Sequence, residues 1–262
     1  MVEAVGEGVS TFAVGDRVYT TGSVSGTLAE YALCTTDTVH PLPANVTFAQ
    51  GACIGVPCAT AYRALFLRCA AKLGDAVLIH GASGAVGLAA TQLAIDRGCI
   101  VVGTAGTAAG ESAISALGAT AVNHRSDDYL QSASAALPAA KQGKFDIVLE
   151  MAAHANLLAD VGMVQKHGRI AIIGSKPLPV ALNPRLLMPS EITLHGVFMP
   201  AASADEKAAT HQGLYEAMER GGLAPNVGLA LPLSEAAKAH VEIAEPSTGG
   251  KVGNIVLIVR EE

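Results

Sequence analysis

The residues with the clearest chemical potential in this sequence are three glycines spaced three apart, Gly81, Gly84 and Gly87, in the stretch HGASGAVGLAATQLA. An apolar run at 76–81 precedes them and predicts a buried strand, and the small residues that follow predict a helix. Such a turn can bind phosphate, because glycines let the backbone approach an anion that the free amides of the helix N-terminus then face. Ala82 stands where the pattern G-x-G-x-x-G has its first glycine, and a tight turn without a ligand is the alternative interpretation.

The elements that would position this turn follow in regular alternation. The predicted strands lie at 100–106, 145–151, 169–174 and 191–199, and the predicted helices at 84–98, 112–118 and 157–168. Strands that alternate with helices imply βαβ units and a parallel sheet. The sequence therefore predicts an α/β fold with a doubly wound parallel sheet of the Rossmann type, and this setting favours a dinucleotide ligand over an empty turn.

Shorter elements are predicted on both sides of this region. Runs punctuated by glycine at 15–22, 26–34 and 38–43 are typical of short strands. Capping-box patterns at 47–50 (TFAQ) and 203–206 (SADE) predict helix starts, and the second helix is expected to run to about Arg220. Pro57 fits the first turn of another helix, through residue 74, and residues 254–259 predict a last strand.

The end of the second predicted strand indicates which dinucleotide the turn would bind. NAD-binding chains place an acid there, about 20 residues after the glycines, to bind the ribose hydroxyls. Residues 103–110 contain no acid before Glu111, so nothing there repels a 2'-phosphate. Thr107 can donate to that phosphate, and His124 and Arg125 follow the third strand, with an exposed loop position as the alternative for His124. The sequence predicts NADPH as the cofactor, bound more tightly than NADH.

Composition excludes several other classes of protein. Of the 262 residues, 50% are hydrophobic and 15% are charged, which supports a sizeable core and excludes wholesale disorder. The net charge of -6 argues against nucleic acid and anionic membranes as partners. No apolar run of about 18 residues predicts a membrane span, and the first ten residues lack the pattern of a signal peptide. Because the five cysteines form no C-x-x-C pair, we expect a reduced, cytoplasmic protein.

The sequence predicts no metal site. Cys53 and Cys58 are five residues apart on apolar segments with no second pair nearby, so they are interpreted as buried core thiols. The eight histidines form no H-E-x-x-H pattern. A hydrolase nucleophile is also excluded, because Ser83, in GASGA, lies on the phosphate turn.

Several motifs together resemble the zeta-crystallin branch of the quinone oxidoreductases, in the medium-chain dehydrogenase/reductase superfamily. In chain order they are GTLAEYAL, GACIGVPCATAYRAL, VLIHGASGAVGLAATQLA, GTAGT, NHR, FDIVLEM, GRIAIIGS, NPR and ITLHGVFM. The resemblance implies a zinc-free, NADPH-dependent reductase of quinones whose Rossmann domain is set into a barrel-like (GroES-like) β domain. We accordingly expect a partial catalytic β-barrel domain at 1–55, an NADPH-binding Rossmann domain at 56–202 and a return to the catalytic domain at 203–262.

The same resemblance implies the positions of the cofactor contacts. They are Ser83, Gly84, Ala85 and Val86 at the pyrophosphate, Gly106 and His124 at the adenosine phosphate, and Asn156, Ile173, Gly174, Ser175, Lys176, Val197, Phe198 and Met199 on the nicotinamide side. Thr60 is a further candidate there, and Tyr19, Phe198 and Met199 are expected at the mouth of the substrate pocket, with an ordinary core position as the alternative. No catalytic side chain is assigned, because a quinone accepts a hydride without a metal or a strong acid, so the protein supplies orientation and a dry pocket.

The relatives begin with several strands before the motif at 2–18, together with a tyrosine near the nicotinamide, and we expect neither in this chain. The barrel would then lack strands and leave unpaired edges that tend to associate. Two other functions stay open: reduction of an activated C=C bond in an enone or enoyl thioester, and a non-catalytic NADPH-binding or crystallin-like role. The resemblance also implies a homodimer or homotetramer, in which the apolar strand at 191–199, with Ile192, Leu194 and Val197, pairs with its symmetry mate.

Overall fold

The computed structural model describes residues 1–245 and 250–260. Its N-terminal part contains one antiparallel pair, formed by β1 (Val18–Thr20) and β2 (Val39–Pro41). Helix α1 (Phe48–Gly51) begins at Thr47, whose hydroxyl accepts the amide hydrogen of Gln50 while the Gln50 side chain accepts that of Thr47. The predicted capping box at 47–50 is thus confirmed.

The segment after α1 is a continuous helix of mixed geometry. Two π-helical stretches, Ile54–Cys58 and Arg63–Arg68, flank the α-helical turn α2 (Ala59–Tyr62). This helix begins at Ile54, so Pro57 is its fourth residue and not its first, whereas the sequence pattern predicts Pro57 at the start. The helix ends earlier than the sequence pattern suggests, because Ala70 adopts a φ of +46° that the right-handed helix does not allow.

A six-stranded parallel sheet forms the centre of the molecule. Its strands are β3 (Ala76–Ile79), β4 (Ile100–Ala105), β5 (Thr120–Asn123), β6 (Phe145–Glu150), β7 (Val164–Ile172) and β8 (Thr193–Gly196). They lie in the order β5-β4-β3-β6-β7-β8 and every neighbouring pair is parallel. From β3 the chain adds β4 and β5 on one side, and it then adds β6, β7 and β8 on the other side. The boundary between β3 and β6 is therefore a switch point, which opens a crevice at the carboxyl ends of the strands. The predicted doubly wound α/β fold is confirmed.

Helices cover both faces of this sheet. Val77 and Ile79 of β3 pack into one apolar cluster with α3 (Ala85–Asp96) and α4 (Ala108–Ala116). The alternating residues Ala76 and Leu78 pack into a second cluster with α5 (Tyr129–Ala135) and α6 (Ala153–Met163). Because successive side chains of a strand point to opposite faces, the apolar runs predicted as buried strands supply both clusters.

The C-terminal part adds a helix and a second parallel pair. Helix α7 (Ala204–Glu219) begins at Ser203, and the predicted capping box with Glu206 is present. Strand β9 (Val227–Pro232), helix α8 (Ala236–Ala244) and strand β10 (Asn254–Ile258) follow, with β9 and β10 parallel. No helix in residues 1–245 or 250–260 has the length and apolar character needed to cross a membrane.

Three predicted elements differ from the structure. The run at 26–34 forms no strand, and its side chains Leu28 and Leu33 are exposed, because no strand or core face packs against them. The predicted helix at 157–168 ends at Met163, since Val164 pairs with Phe145 and starts β7. The predicted strand at 191–199 shortens to β8, which is the edge strand expected, but Val197 follows it and is buried.

Candidate functional site

The glycine turn joins β3 to α3 at the switch point of the sheet. Gly81 has a φ of +58°, which favours glycine. Its amide donates to the Thr104 hydroxyl at 3.1 Å, and the Ala82 amide donates to the Thr104 carbonyl at 2.8 Å. The end of β4 therefore fixes the path of the turn.

The turn presents unpaired amides where α3 begins. Gly84 is the N-cap residue of α3, and no side chain caps the helix, so the first-turn amides of Ala85 and Val86 face outward without a side-chain acceptor. A Cβ on Gly87 would lie 2.5 Å from Ala82 Cα and from the Gly81 carbonyl oxygen. Close packing of helix on turn therefore requires glycine at 87, as the fingerprint interpretation predicts.

A second group of predicted residues meets at the ends of β4 and β5. A Cβ on Gly106 would lie 2.7 Å from His124 Nε2 and 3.2 Å from Arg125 Nε, so both side chains lie against Gly106. The Thr107 hydroxyl accepts the Gly110 amide as the N-cap of α4, and its own hydrogen remains available to a ligand. The first acid after β4, Glu111, accepts a hydrogen bond from Asn123 at 2.7 Å.

The predicted nicotinamide-side residues lie at the carboxyl ends of β6, β7 and β8. The Ile173 amide donates to the Glu150 carbonyl and the Val197 amide to the Ile172 carbonyl. A Cβ on Gly174 would lie 2.4 Å from the Met151 carbonyl oxygen, so the two strand exits touch there. The Lys176 amide donates to His154 Nδ1 at 3.1 Å, and the side chains of Ser175 and Lys176 are exposed.

A cavity of about 310 Å³ opens between these groups. Its lining is supplied by the exits of β3, β4, β5 and β6 and by the first turns of α5 and α6, and consists of His80, Gly81, Thr104, His124, Tyr129, Met151, Ala152, Ala155 and Asn156. Two predicted cofactor residues, His124 and Asn156, thus share one concave surface with the glycine turn. A larger, more open cavity of about 540 Å³ lies elsewhere, between α1, α3 and residues 224–227, and none of the predicted residues lines it.

A buried polar cluster that no sequence motif predicts lies directly beneath the cavity. His80 Nε2 lies 2.8 Å from Asp160 Oδ1 and 3.6 Å from Glu150 Oε2, and all three side chains are buried. Glu150 Oε1 accepts the Ala152 amide and the Asn156 side-chain amide. The available signal was a charged residue at the end of each apolar strand, His80 after β3 and Glu150 in β6.

Burial controls the proton affinity of this cluster. Burial, with a hydrogen bond to Asp160, raises the pKa of Glu150 to about 7. Burial also raises the pKa of Asp160 to about 6 and lowers the pKa of His80. Both carboxyl groups therefore hold a proton at higher pH than carboxyl groups usually do, and such perturbed pKa values cluster at functional sites.

Comparison with known proteins places this geometry in a family. The family model described as zinc-binding dehydrogenase matches residues 85–214. The quinone oxidoreductase of Lama guanicoe is 43% identical over 99% of this chain and 77% of its own length. The chain belongs to the zeta-crystallin type of quinone oxidoreductases. This family is part of the medium-chain dehydrogenase/reductase superfamily, and the chain is an oxidoreductase.

Solved structures of the superfamily share its fold. An NAD-dependent alcohol dehydrogenase superposes with a TM-score of 0.84 at 25% identity, over 98% of this chain and 80% of its own. Mycobacterial Rv1454c, solved in complex with NADPH, superposes with a TM-score of 0.82 at 25% identity, over 98% of this chain and 80% of its own. The resemblance that the sequence motifs indicate is thus confirmed.

The residues expected at the quinone oxidoreductase substrate pocket divide between surface and core. Phe198 is exposed and Met199 half-buried, immediately after the β8 exit. Arg63 donates to the Phe198 carbonyl at 3.1 Å and so ties this segment to the helix that carries Thr60, which is buried. Tyr19 packs in the core, which is the alternative considered for it, and its hydroxyl is hydrogen-bonded to His211 Nδ1 at 2.8 Å.

Zinc, which the matching family model carries in its description, does not fit the side chains present. All five cysteines are free thiols, and burial raises the pKa of Cys53 to about 11 and that of Cys69 to about 12, whereas zinc binds the thiolate. Among the described residues, one group brings three possible ligands together, the His80–Glu150–Asp160 cluster. Its 2.8 Å contact between His80 and Asp160 has the length of a hydrogen bond.

Proposed function

We propose that this chain is a zinc-independent, NADPH-dependent oxidoreductase that transfers reducing equivalents from NADPH to quinones. The family, shown by the quinone oxidoreductases it resembles over 99% of its length, supports the reaction class. The cofactor assignment rests on the groups around Gly106, which we call the Gly106 corner. His124 and Arg125 lie against Gly106 there, and the Thr107 hydroxyl hydrogen is available to a ligand.

The pyrophosphate is assigned to the turn formed by Ser83, Gly84, Ala85 and Val86. The uncapped amides of α3 and its dipole favour an anion at this place. These groups are mostly backbone and would serve NADPH and NADH alike. Selection between the two cofactors must therefore come from other residues.

The 2'-phosphate is assigned to Gly106, Thr107, His124 and Arg125. Partial burial and the neighbouring Arg125 lower the pKa of His124, so its imidazole is neutral near pH 7 and contributes a hydrogen bond. Arg125 is then the permanent cation of this corner, and its guanidinium suits a phosphate. The Glu111 carboxylate accepts a hydrogen bond from Asn123, so it is not assigned to the ribose hydroxyls.

The nicotinamide is assigned to the exits of β6, β7 and β8, at Asn156, Ile173–Lys176 and Val197–Met199. NADPH, when bound, supplies a hydride, and the chain's own residues supply orientation and exclusion of water. The exposed ring of Phe198 and the adjacent Met199 offer an apolar surface for a flat quinone. Thr60 lies behind them in the helix that Arg63 ties to Phe198.

Two measurements test this proposal. Titration of the nicotinamide fluorescence should give a lower dissociation constant for NADPH than for NADH, and equal constants would overturn the cofactor assignment. NADPH oxidation is then followed with a quinone and, in parallel, with an enone. Faster turnover of the enone would replace the quinone by an activated C=C bond, and binding without turnover of either would identify a non-catalytic NADPH-binding protein. A reducing, cytoplasmic location is proposed as well, since all five cysteines are unpaired.

A further inference from the structure

The buried cluster beneath the cavity lacks a hydrogen-bond donor. Glu150 Oε2 and Asp160 Oδ2 are both buried, and no N–H or O–H group of the described residues donates a hydrogen bond to either oxygen. The two carboxyl groups nevertheless lie close together, because one polar atom of each lies within 4.8 Å of the other and of the His80 ring. Since two carboxylates cannot donate to one another, a proton shared by the pair is what gives each of these oxygens a partner.

The same cluster connects three elements that form the cavity. His80 is the residue before Gly81 and donates through Nε2 to Asp160 on α6. Glu150, at the end of β6, accepts the amide of Ala152 and holds the side-chain amide of Asn156 at 3.4 Å. Asn156, whose side-chain nitrogen is turned to Glu150, also lines the cavity.

We propose that the His80–Asp160–Glu150 cluster is a positioning group for nucleotide binding, and that it works while its two carboxyl groups share one proton. This inference rests on the proposed function, because it assigns the cavity to NADPH. In the singly protonated state all four carboxyl oxygens of the cluster have a partner, the cluster carries one negative charge, and Asn156 is held in place.

No described cation compensates the loss of this proton. The titratable groups that face the carboxyl pair are His80 from β3, whose pKa burial lowers, and Tyr129 from α5, whose pKa burial and the two carboxyl groups raise. His124, at the end of β5, lines the same cavity, and Arg125 beside it faces His124. Among the described ion pairs, those of Glu150 and Asp160 involve His80 alone. Deprotonation therefore leaves two adjacent carboxylates under a cavity proposed to bind an anion.

Nucleotide affinity should accordingly fall as the pH rises through neutrality. A second buried negative charge within about a nanometre of the nucleotide phosphates weakens binding on the order of tenfold. We expect the NADPH dissociation constant of the unmodified protein to rise by about that factor between about pH 6 and about pH 8.5, around the pKa of about 7 for Glu150.

Two isosteric variants separate this role from simple structural support. Glu150→Gln keeps the acceptor for Ala152 and Asn156 and places a permanent donor toward Asp160. Asp160→Asn keeps the acceptor for His80 and places the donor toward Glu150. Each fixes the cluster at one negative charge, so the additional rise in dissociation constant at high pH should disappear in both, while affinity at about pH 6 stays within about twofold of the unmodified protein.

Asp146→Asn is the matched control. Asp146 is a buried carboxylate of the same strand that pairs with Lys141, remote from the described lining of the cavity, and this variant should keep the pH profile of the unmodified protein. The 2'-phosphate of NADPH also titrates, but it does so equally in every protein tested. Comparing the pH profiles of the variants with that of the unmodified protein therefore cancels this contribution. The infrared absorption of a protonated carboxyl group supplies a readout without nucleotide: it should vanish near neutral pH in the unmodified protein and be absent in Glu150→Gln.

The outcomes are distinct. In one outcome the infrared band titrates, but NADPH affinity follows the same pH profile in Glu150→Gln, Asp160→Asn and the unmodified protein. This outcome overturns the positioning role and leaves the proposed function intact. The absence of any protonated-carboxyl band at about pH 6 in the unmodified protein overturns the shared proton. A folded protein that binds no NADPH at any pH overturns the proposed function, and the inference falls with it.

Discussion

At the scale of single residues, the proposed preference for NADPH predicts that a charge placed at the end of β4 changes cofactor affinity. An acid introduced at Thr107 tests this, and aspartate is the suitable one. The Thr107 hydroxyl caps α4 by accepting the Gly110 amide; aspartate retains a capping oxygen, whereas glutamate would remove the cap as well as add the charge. Thr107→Asp should weaken NADPH binding by roughly ten- to hundredfold, equivalent to about 1.5–3 kcal/mol for a charge-assisted phosphate contact. Fluorescence titration measures this change.

Thr107→Asn is the control for that substitution, because it caps the helix with the same shape and carries no charge. It should keep the preference for NADPH and leave NADH affinity unchanged, whereas Thr107→Asp should bind NADH at least as tightly as the unmodified protein, because an acid here can accept the ribose hydroxyls. If Thr107→Asp and Thr107→Asn lose NADPH affinity equally, the effect arises from the cap and the phosphate lies elsewhere.

Metal content is a further prediction that belongs to individual side chains. The thiols of Cys53, Cys58 and Cys69 are buried, and burial raises their pKa values. Forming a thiolate there is costly, so we expect less than about 0.1 zinc per chain after purification without chelator. Elemental analysis is the measurement, and about one zinc per chain, lost together with activity on chelation, would contradict the prediction.

At the scale of elements, the seating of α3 on the glycine turn can be tested with two glycines in helices. Gly87→Ala places a Cβ 2.5 Å from backbone atoms of the turn, and it should lower the free energy of unfolding by at least about 2 kcal/mol. Gly162→Ala on α6 meets no atom within 4 Å, and it should raise that free energy by about 0.5–1 kcal/mol. Urea unfolding compares them, and equal effects would refute the close-packing explanation.

Docking of α7 against β1 and β2 should depend on pH. His211 on α7 is hydrogen-bonded through Nδ1 to the Tyr19 hydroxyl and stacks on His40 at 3.7 Å. Burial, followed by the charges of His40 and Lys207, lowers the pKa of His211 to about 4. The unfolded chain, with a pKa near 6.5, then binds this proton more readily, so stability is lost as pH falls from about 6.5 to about 4.

The variant His211→Asn isolates this contribution, since its side-chain oxygen can accept the Tyr19 hydroxyl without titrating. The stability advantage of the unmodified protein over His211→Asn should shrink between about pH 7 and about pH 5, as measured by urea unfolding. His240→Asn, at an exposed position of α8, should show no such trend. A constant difference across this range would count against a neutral, buried His211.

The elements that sequence reasoning predicted correctly are those whose signal is local. The capping boxes at Thr47 and Ser203 and the strand–glycine–helix turn at Gly81 each depend on residues a few positions apart. The strand β7 was predicted at 169–174, but its first residues, 164–168, were assigned to the preceding helix, because the pairing of Val164 with Phe145 is a tertiary contact that outweighs a helical pattern.

The site was predicted in part for the same reason. His124 against Gly106 follows from the resemblance and from the order of the strands. The cluster of His80, Asp160 and Glu150 was missed because the two carboxyl residues follow His80 by 70 and 80 positions in the sequence. They meet His80 only through the pairing of β3 with β6, which are not consecutive strands. Apolar periodicity carries no information about such a meeting.

At the scale of the whole molecule, the sheet ends in an unprotected edge. Strand β8 pairs with β7 on one side only among the described residues, and Ile192 and Leu194 pack inward against the core. Near this edge Leu186, Met188 and Phe198 are exposed. Exposed edges and apolar patches of this kind are usually covered by another chain, and this supports the proposal of a homodimer or homotetramer joined through β8.

Substitution of one exposed threonine at each end of the sheet tests this assembly. Thr193 opens β8 and Thr120 opens β5, the strand at the opposite edge, and both are exposed. Because lysine on an edge strand opposes pairing with a second copy, Thr193→Lys should shift the protein toward monomer at micromolar concentration, whereas Thr120→Lys should leave the assembly unchanged. Light scattering coupled to size exclusion gives the masses. A monomeric unmodified protein, or equal dissociation by the two variants, would rule out association through β8, since charge at either edge would then act by general repulsion.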